Sequence, residues 1–166
     1  MTFQEIKELL IQECGEDAIT DEVQGKQPQL VIPASKLLEV CQVLHAHENT
    51  YFDFLSCITG LDNGPEKGTM EVIYHLYSVP FNHHMVLKVI LQRNNTEEVP
   101  IPAVPSLCNI WKTANWHERE TWDLLGIRFE GHPDHRRILL PDDWQGFPLR
   151  KDYKLQDYYQ GIKTVY

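Results

Sequence analysis

An α+β fold is predicted for this sequence: an α-β-β-α-β-β-β two-layer domain with helices on one face of a mixed sheet, then a helix and an extended C-terminal arm. Three observations lead there. Hydrophobic spacing reads helix, two strands, helix, three strands, helix, and strands grouped beside a few helices pack as α+β. The 166 residues are 42% hydrophobic and 23% charged. Such a chain buries ~70% of its unfolded surface in one core, which excludes wholesale disorder. Beyond Gly126 the periodicity stops, and Gly131, Pro133, Pro141, Gly146 and Pro148 punctuate the remaining residues. The expected division is 1–125, an α+β domain, and 126–166, an arm with too few apolar residues for a second core. The arm wraps its own domain or lies on a partner.

Thr2 and Glu5 form a capping box, Phe3, Ile6, Leu9 and Leu10 recur at helical spacing, and Gly15 closes the helix. Ala18–Val23 and Gln29–Ile32 read as short strands around a Gly25–Pro28 turn. Leu37, Leu38, Val40, Cys41 and Leu44 restore the helical period over 35–47. Tyr51–Leu61, Met70–Val79 and Met85–Gln92 are β-rich runs, separated by the turn clusters Asn63–Gly68 and Pro80–His83. They predict three consecutive antiparallel strands. Pro100, Pro102 and Pro105 predict a stiff connector, and Ser106 caps a helical stretch to Leu125 with a break near Asn115.

Composition excludes several functions. A net charge of −9 argues against a general binder of nucleic acid or anionic lipid. The opening MTFQEIKELL lacks the apolar block of a secretory signal, and no run approaches the ~20 apolar residues of a membrane span. Cys14, Cys41, Cys57 and Cys108 form no CxxC pair, so a zinc or iron–sulfur site built from this chain alone is not expected. Reduced, buried thiols are the default.

Charge and aromatics are unevenly placed. Five of six arginines lie between Arg119 and Arg150, all four tryptophans between Trp111 and Trp144, and residues 1–50 hold nine acids against three lysines. Arg and Trp are enriched in protein–protein hot spots. Eight acids accompany them between Glu118 and Lys154, so a surface paired with itself is the competing reading.

The local motifs carry little chemistry. His117-Glu118-Arg119-Glu120-Thr121 begins like a zinc-protease helix, but Thr121 stands where the second His is required. In His132-Pro133-Asp134-His135 the proline breaks any helix that would align ligands, and no Cys or further His is near in sequence, so a structural role is preferred. Glu120 and Asp123 share a helix face at i,i+3, as general acid and base of a hydrolase would. Arg119 reaches Asp123 at i,i+4, and a salt-bridged helix end is the simpler explanation. GxSxG, P-loop and GxGxxG patterns are missing. Tyr158, Tyr159 and Tyr166 point to a docked tail.

One longer pattern stands out. Glu118-Arg119-Glu120, Asp123-Leu124-Leu125, His132, Arg136-Arg137-Ile138-Leu139-Leu140-Pro141, Asp143-Trp144, Gly146 and Pro148-Leu149-Arg150-Lys151-Asp152-Tyr153 mix charged, Gly and Pro positions at fixed spacing. The pattern resembles the signature of the C-subunit family of respiratory NADH:quinone oxidoreductase, complex I, and the preceding element order is similar to that family's N-terminal domain. The resemblance implies a peripheral-arm subunit with no cofactor of its own, on the cytoplasmic side of the cell membrane. It would pack beside the quinone-site subunit and the iron–sulfur subunits. FMN and iron–sulfur clusters would lie in partners, and the whole enzyme would carry electrons from NADH to quinone and move ions. Glu118, Arg119, Glu120 and Asp123 would anchor the root of the arm, and His132 with Gly131 would set its turn. Arg136, Arg137 and Arg150, with Lys151 and Asp152, would meet a partner by charge-assisted forks. The same domain also resembles parts of membrane-bound hydrogenases and of ferredoxin- or coenzyme-linked complexes. A free-standing assembly module is the other alternative.

Overall fold

The computed structural model describes residues 1–23, 27–94 and 100–164. Helix α1 (Phe3–Cys14) starts on the predicted box: Glu5 N–H donates to Thr2 Oγ1 at 3.3 Å, and Thr2 N–H to Glu5 Oε2 at 2.7 Å. Its apolar stripe buries Ile6, Leu10 and Cys14. Ala18 belongs to a 3-10 turn, so the first strand, β1 (Asp21–Val23), is shorter than its apolar run. Strand β2 (Gln29–Val31) pairs with it antiparallel; the turn expected over Gly25–Pro28 falls partly outside the described residues. Helix α2 (Leu37–Ala46) buries Leu37, Val40, Cys41 and Leu44.

Strands β3 (Phe54–Asp62), β4 (Thr69–Ser78) and β5 (His83–Gln92) form the predicted antiparallel meander. The sheet order is β1-β2-β5-β4-β3, with β2 and β5 parallel, so the sheet is mixed. Met70, Val72, Tyr74 and Leu76 of β4 alternate into one core with Met85, Leu87, Val89 and Leu91 of β5 and the buried stripes of the helices. The α+β class and the two layers are as the sequence predicts.

Two expectations are corrected. The proline connector contains a strand, β6 (Ala103–Pro105), and the helical stretch from Ser106 does not form. Helix α3 runs Ala114–Leu125. Ser106 Oγ accepts the Cys108 N–H at 3.3 Å and so caps a single turn, its hydroxyl donates to Glu118, and the Trp111 indole is pinned to the Phe52 carbonyl at 2.9 Å; residues 106–113 fold as turns. After α3, β7 (Arg128–Glu130) pairs parallel with β6, and Ile127 and Phe129 are buried with the core. The arm thus begins inside the domain, a few residues beyond the boundary expected after Leu125. It closes with a short hairpin, β8 (Tyr158–Tyr159) and β9 (Ile162–Lys163). There Tyr159 donates to Asp143 at 2.8 Å and its ring lies 5.1 Å from that of Trp144, so this tyrosine docks on the arm itself. Tyr166 is outside the described residues.

Helix α3 presses on β3 at Gly60. A Cβ there would collide with Leu125 Cδ1 and lie 2.7 Å from Thr121 Cγ2. Gly60→Val is therefore expected to lower stability by about 1–3 kcal/mol through overpacking, read as a lower urea midpoint at unchanged slope.

Candidate functional site

The polar groups of the signature converge on α3 and the chain that folds back over it. Asp123 is fully buried. One of its oxygens accepts the three consecutive N–H groups of Ile138, Leu139 and Leu140 at 3.1, 2.8 and 2.8 Å, and the other takes Arg137 Nη1 at 2.6 Å. Burial alone would raise its pKa, but the hydrogen bonds from Leu140, Arg137, Leu139 and Ile138 hold it below the ordinary aspartate value.

Arg119 does not reach Asp123 as expected. The backbone of the arm passes closer, and Arg119 donates to the Arg136 and Arg137 carbonyls at 3.1 and 2.9 Å. The helix thus grips the arm through both backbone polarities. Nor do Glu120 and Asp123 form a pair. Three residues along a helix leave a rotation of about 60°, which here crosses from solvent to core and leaves Glu120 exposed. That geometry removes the basis of the hydrolase reading.

The three C-terminal arginines part company. Arg137 also donates to the Gly146 carbonyl at 3.1 Å, and Arg150 donates to the Leu125 carbonyl at 2.7 Å. Arg150 is a cation at a helix C-terminus, where the peptide dipoles favour it. Both guanidiniums flank the Phe147 ring, at 5.6 and 4.8 Å. Phe147 in turn lies where a Cβ on Gly126, left-handed at φ 73°, would go. Arg136 is different: its side chain is 78% exposed and grips only Asp134, at 2.6 and 2.8 Å, which holds that carboxyl down to about 2.

A second clamp joins Lys151 and Asp152 of the pattern to a pair that no sequence motif contains. Asp62, at the end of β3, accepts Arg93 Nε at 2.8 Å, the Gly64 N–H at 3.0 Å and the Lys151 N–H at 2.8 Å. Arg93 also pairs with Asp152. Arg93 is the one arginine outside the C-terminal cluster, and that isolation is its only signal. Lys151 and Asp152 thus tie the arm to the far end of the sheet.

Glu118 is buried against the turn that follows β6. It accepts Ser106 Oγ at 2.6 Å, the Leu107 N–H at 2.7 Å and the Cys108 thiol at 3.4 Å, and burial pushes its pKa up. His132 Nδ1 accepts the Asp134 N–H at 2.9 Å, so Nε2 carries the ring proton of the neutral form and donates to the Asn115 carbonyl at 3.0 Å. Cys108, Glu118 and His132 lie within 4.8 Å of one another, a proximity that their sequence spacing concealed. Ligating a cation would require a thiolate and a free imidazole lone pair. Here burial lifts the Cys108 thiol to about 11 and both ring nitrogens are engaged. Cys108 and Glu118 are hydrogen-bonded to each other, and His132 beside them is held by Asn115 and Asp134.

Fold and site together define a two-layer α+β domain that binds its own C-terminal arm with buried carboxylates. The chain belongs to the family of the respiratory-chain NADH dehydrogenase 30 Kd subunit, whose model matches residues 30–159. It is 47% identical over 120 residues to the NADH-quinone oxidoreductase C subunit of Chloroherpeton thalassium, a match covering 72% of this chain and 47% of that protein. It is 45% identical over 127 residues to the second such C subunit of Rhizobium etli, covering 76% and 64%. The chain thus spans about half to two thirds of the length of these relatives. The fold recurs in a chain of the membrane-bound sulfane sulfur reductase, an archaeal respiratory membrane complex. There the TM-score is 0.72 at 23% identity, covering 92% of this chain and 85% of that one.

Asp123→Asn keeps one oxygen for the arm's N–H donors but sets an NH2 group against the buried Arg137 cation, and is expected to cost about 2–4 kcal/mol with new protease cutting at 131–152. Acid should act in the same place. The folded-state pKa values of Asp62 and Asp123 are depressed. Their contribution is therefore complete above the unfolded value of ~3.9 and is lost as pH falls through the lower folded values. Hydrogen-exchange protection factors of the arm's amides, relative to the unfolded chain at the same pH, should hold down to about pH 4 and fall below it. Glu118 has the opposite sign, because its raised pKa favours the neutral form in the fold.

Proposed function

We propose that this chain is a cofactor-free, structural subunit of the peripheral arm of a proton-translocating NADH:quinone oxidoreductase. It braces the subunits that pass electrons from NADH, through FMN and iron–sulfur clusters, to quinone. The observation that carries this reading is the family match across residues 30–159, which takes in the whole Glu118–Tyr153 pattern. The geometry supports it. Arg119, Asp123, Arg137 and Arg150 are committed to holding the arm in one shape, and electron relay needs partners kept at fixed spacing. Cys14, Cys41 and Cys108 are buried thiols whose pKa values are all raised, the behaviour of core side chains rather than cluster ligands. Among the described residues no helix is long and apolar enough to cross a membrane. In this reading the chain is held at the cytoplasmic face of the cell membrane by a quinone-site subunit and iron–sulfur subunits.

Arg136 is the arginine of the trio left open for a partner. A tagged chain is expected to co-migrate on native gels with NADH:quinone oxidoreductase activity, while the pure chain shows no visible absorbance band and no turnover. Arg136→Glu is expected to cut incorporation about tenfold at an unchanged melting temperature, since an exposed ion pair adds little to folding. Unaided turnover by the pure chain would overturn the proposal.

A further inference from the structure

The five-stranded sheet ends in two unlike edges. β1 is three residues long and carries Asp21 and Glu22, so it is blunted by brevity and charge. β3 is nine residues long, contains neither Pro nor Lys, and its one charge, Asp62, is buried against Arg93. Its bulge falls at Ser56, near the N-terminal end, and leaves Cys57–Asp62 in regular register with β4. Sheets ordinarily protect so long an edge with charge, proline or cover, because a row of open backbone groups recruits another strand.

Beside this edge runs a groove of about 270 Å³ between Cys57–Gly60 and α3, walled by Glu120, Leu124 and Leu149. Gly60 draws α3 close enough to form its floor. Leu149 is 59% exposed there, and Leu61, further along the strand, is 43% exposed. Glu120 pairs with no cation among the described residues, whereas Asp62, Asp123 and Asp134 are each paired with an arginine.

We propose that the β3 edge receives an extended segment of a neighbouring subunit as a sixth strand, with a Lys or Arg of that segment set against Glu120. Main-chain hydrogen bonds would supply affinity, and alternate side chains would supply selection. The inward row meets Leu124 and Leu149 and must be small or aliphatic; the outward row continues the sheet face past Thr59 and Leu61. A second copy of this chain is the poorer occupant, since its own edge, Phe54–Leu61, holds no cation for Glu120. The inference rests on the multisubunit reading above.

The test places p-benzoylphenylalanine at Thr59, which is exposed on β3, in the chain expressed within its native membranes. Co-migration with the complex is scored first; then the sample is irradiated and the cross-linked peptide sequenced. The expected product is an extended segment of another subunit with Lys or Arg close to the cross-link. Glu120→Lys is expected to reduce its yield roughly tenfold by like-charge repulsion. If the chain co-migrates but Thr59 captures no polypeptide, a helix, or a second copy of itself, the edge proposal falls and the assembly reading stands. An unchanged yield in Glu120→Lys also overturns it. Free migration of the chain sinks both.

Discussion

The Asp123 carboxylate is the constraint on which the C-terminal third depends. An irregular segment has no ladder to satisfy its backbone, and a buried N–H without a partner is costly. Here one oxygen serves three successive N–H groups while the other binds Arg137. That contact positions everything downstream. Arg137 fixes Gly146, Gly126 makes room for Phe147, and Phe147 is covered by Arg150, which returns to the end of the same helix. Burying these ions is expensive, and the cost is offset by the charge-assisted hydrogen bonds that each makes.

The arm is fastened at a second point in a different way. Asp62 and Arg93 come from the ends of β3 and the strand paired two positions away, so the sheet itself positions them. The Lys151 N–H and the Asp152 carboxylate then lock onto a pair that is already rigid. One clamp belongs to the helix layer and one to the sheet, and the arm cannot leave either without exposing a buried charge. The chain's organisation is therefore a domain with its own closure rather than a domain with a loose tail.

Periodicity makes the first two helices and the strand meander legible, because each buries one face against the same core. What it cannot reveal depends on contacts distant in sequence. The start of α3 is hidden because Ser106 does cap, but what it caps is the single turn at 107–111 and not the helix. The β6–β7 pair is three residues long and contains Pro105, below what an alternation pattern can show. The Arg119–Asp123 spacing is right for a salt bridge, but the arm offers both residues better-placed backbone partners. The signature residues are legible as a group through their resemblance to a family; their individual roles are not. Asp62 with Arg93, 31 residues apart, carries no local mark at all.

The arginine and tryptophan clustering admits two readings, a self-paired surface or an interface, and the structure shows how one can serve the other. Arg119, Arg137 and Arg150 commit their donors inside the chain. What remains outward includes Trp116 at 70% exposure, Leu139 at 60% and Arg136 at 78% for its side chain. A floppy arm presenting those groups would have to be ordered at each encounter, and immobilising rotamer-rich side chains and backbone consumes binding energy. An arm already held by Asp123 and Asp62 has met that requirement during folding. The internal ion pairs thus act on assembly indirectly, by making the outward groups a fixed surface, and the same residues that look like hot spots in the sequence are the ones that hold the hot spots still.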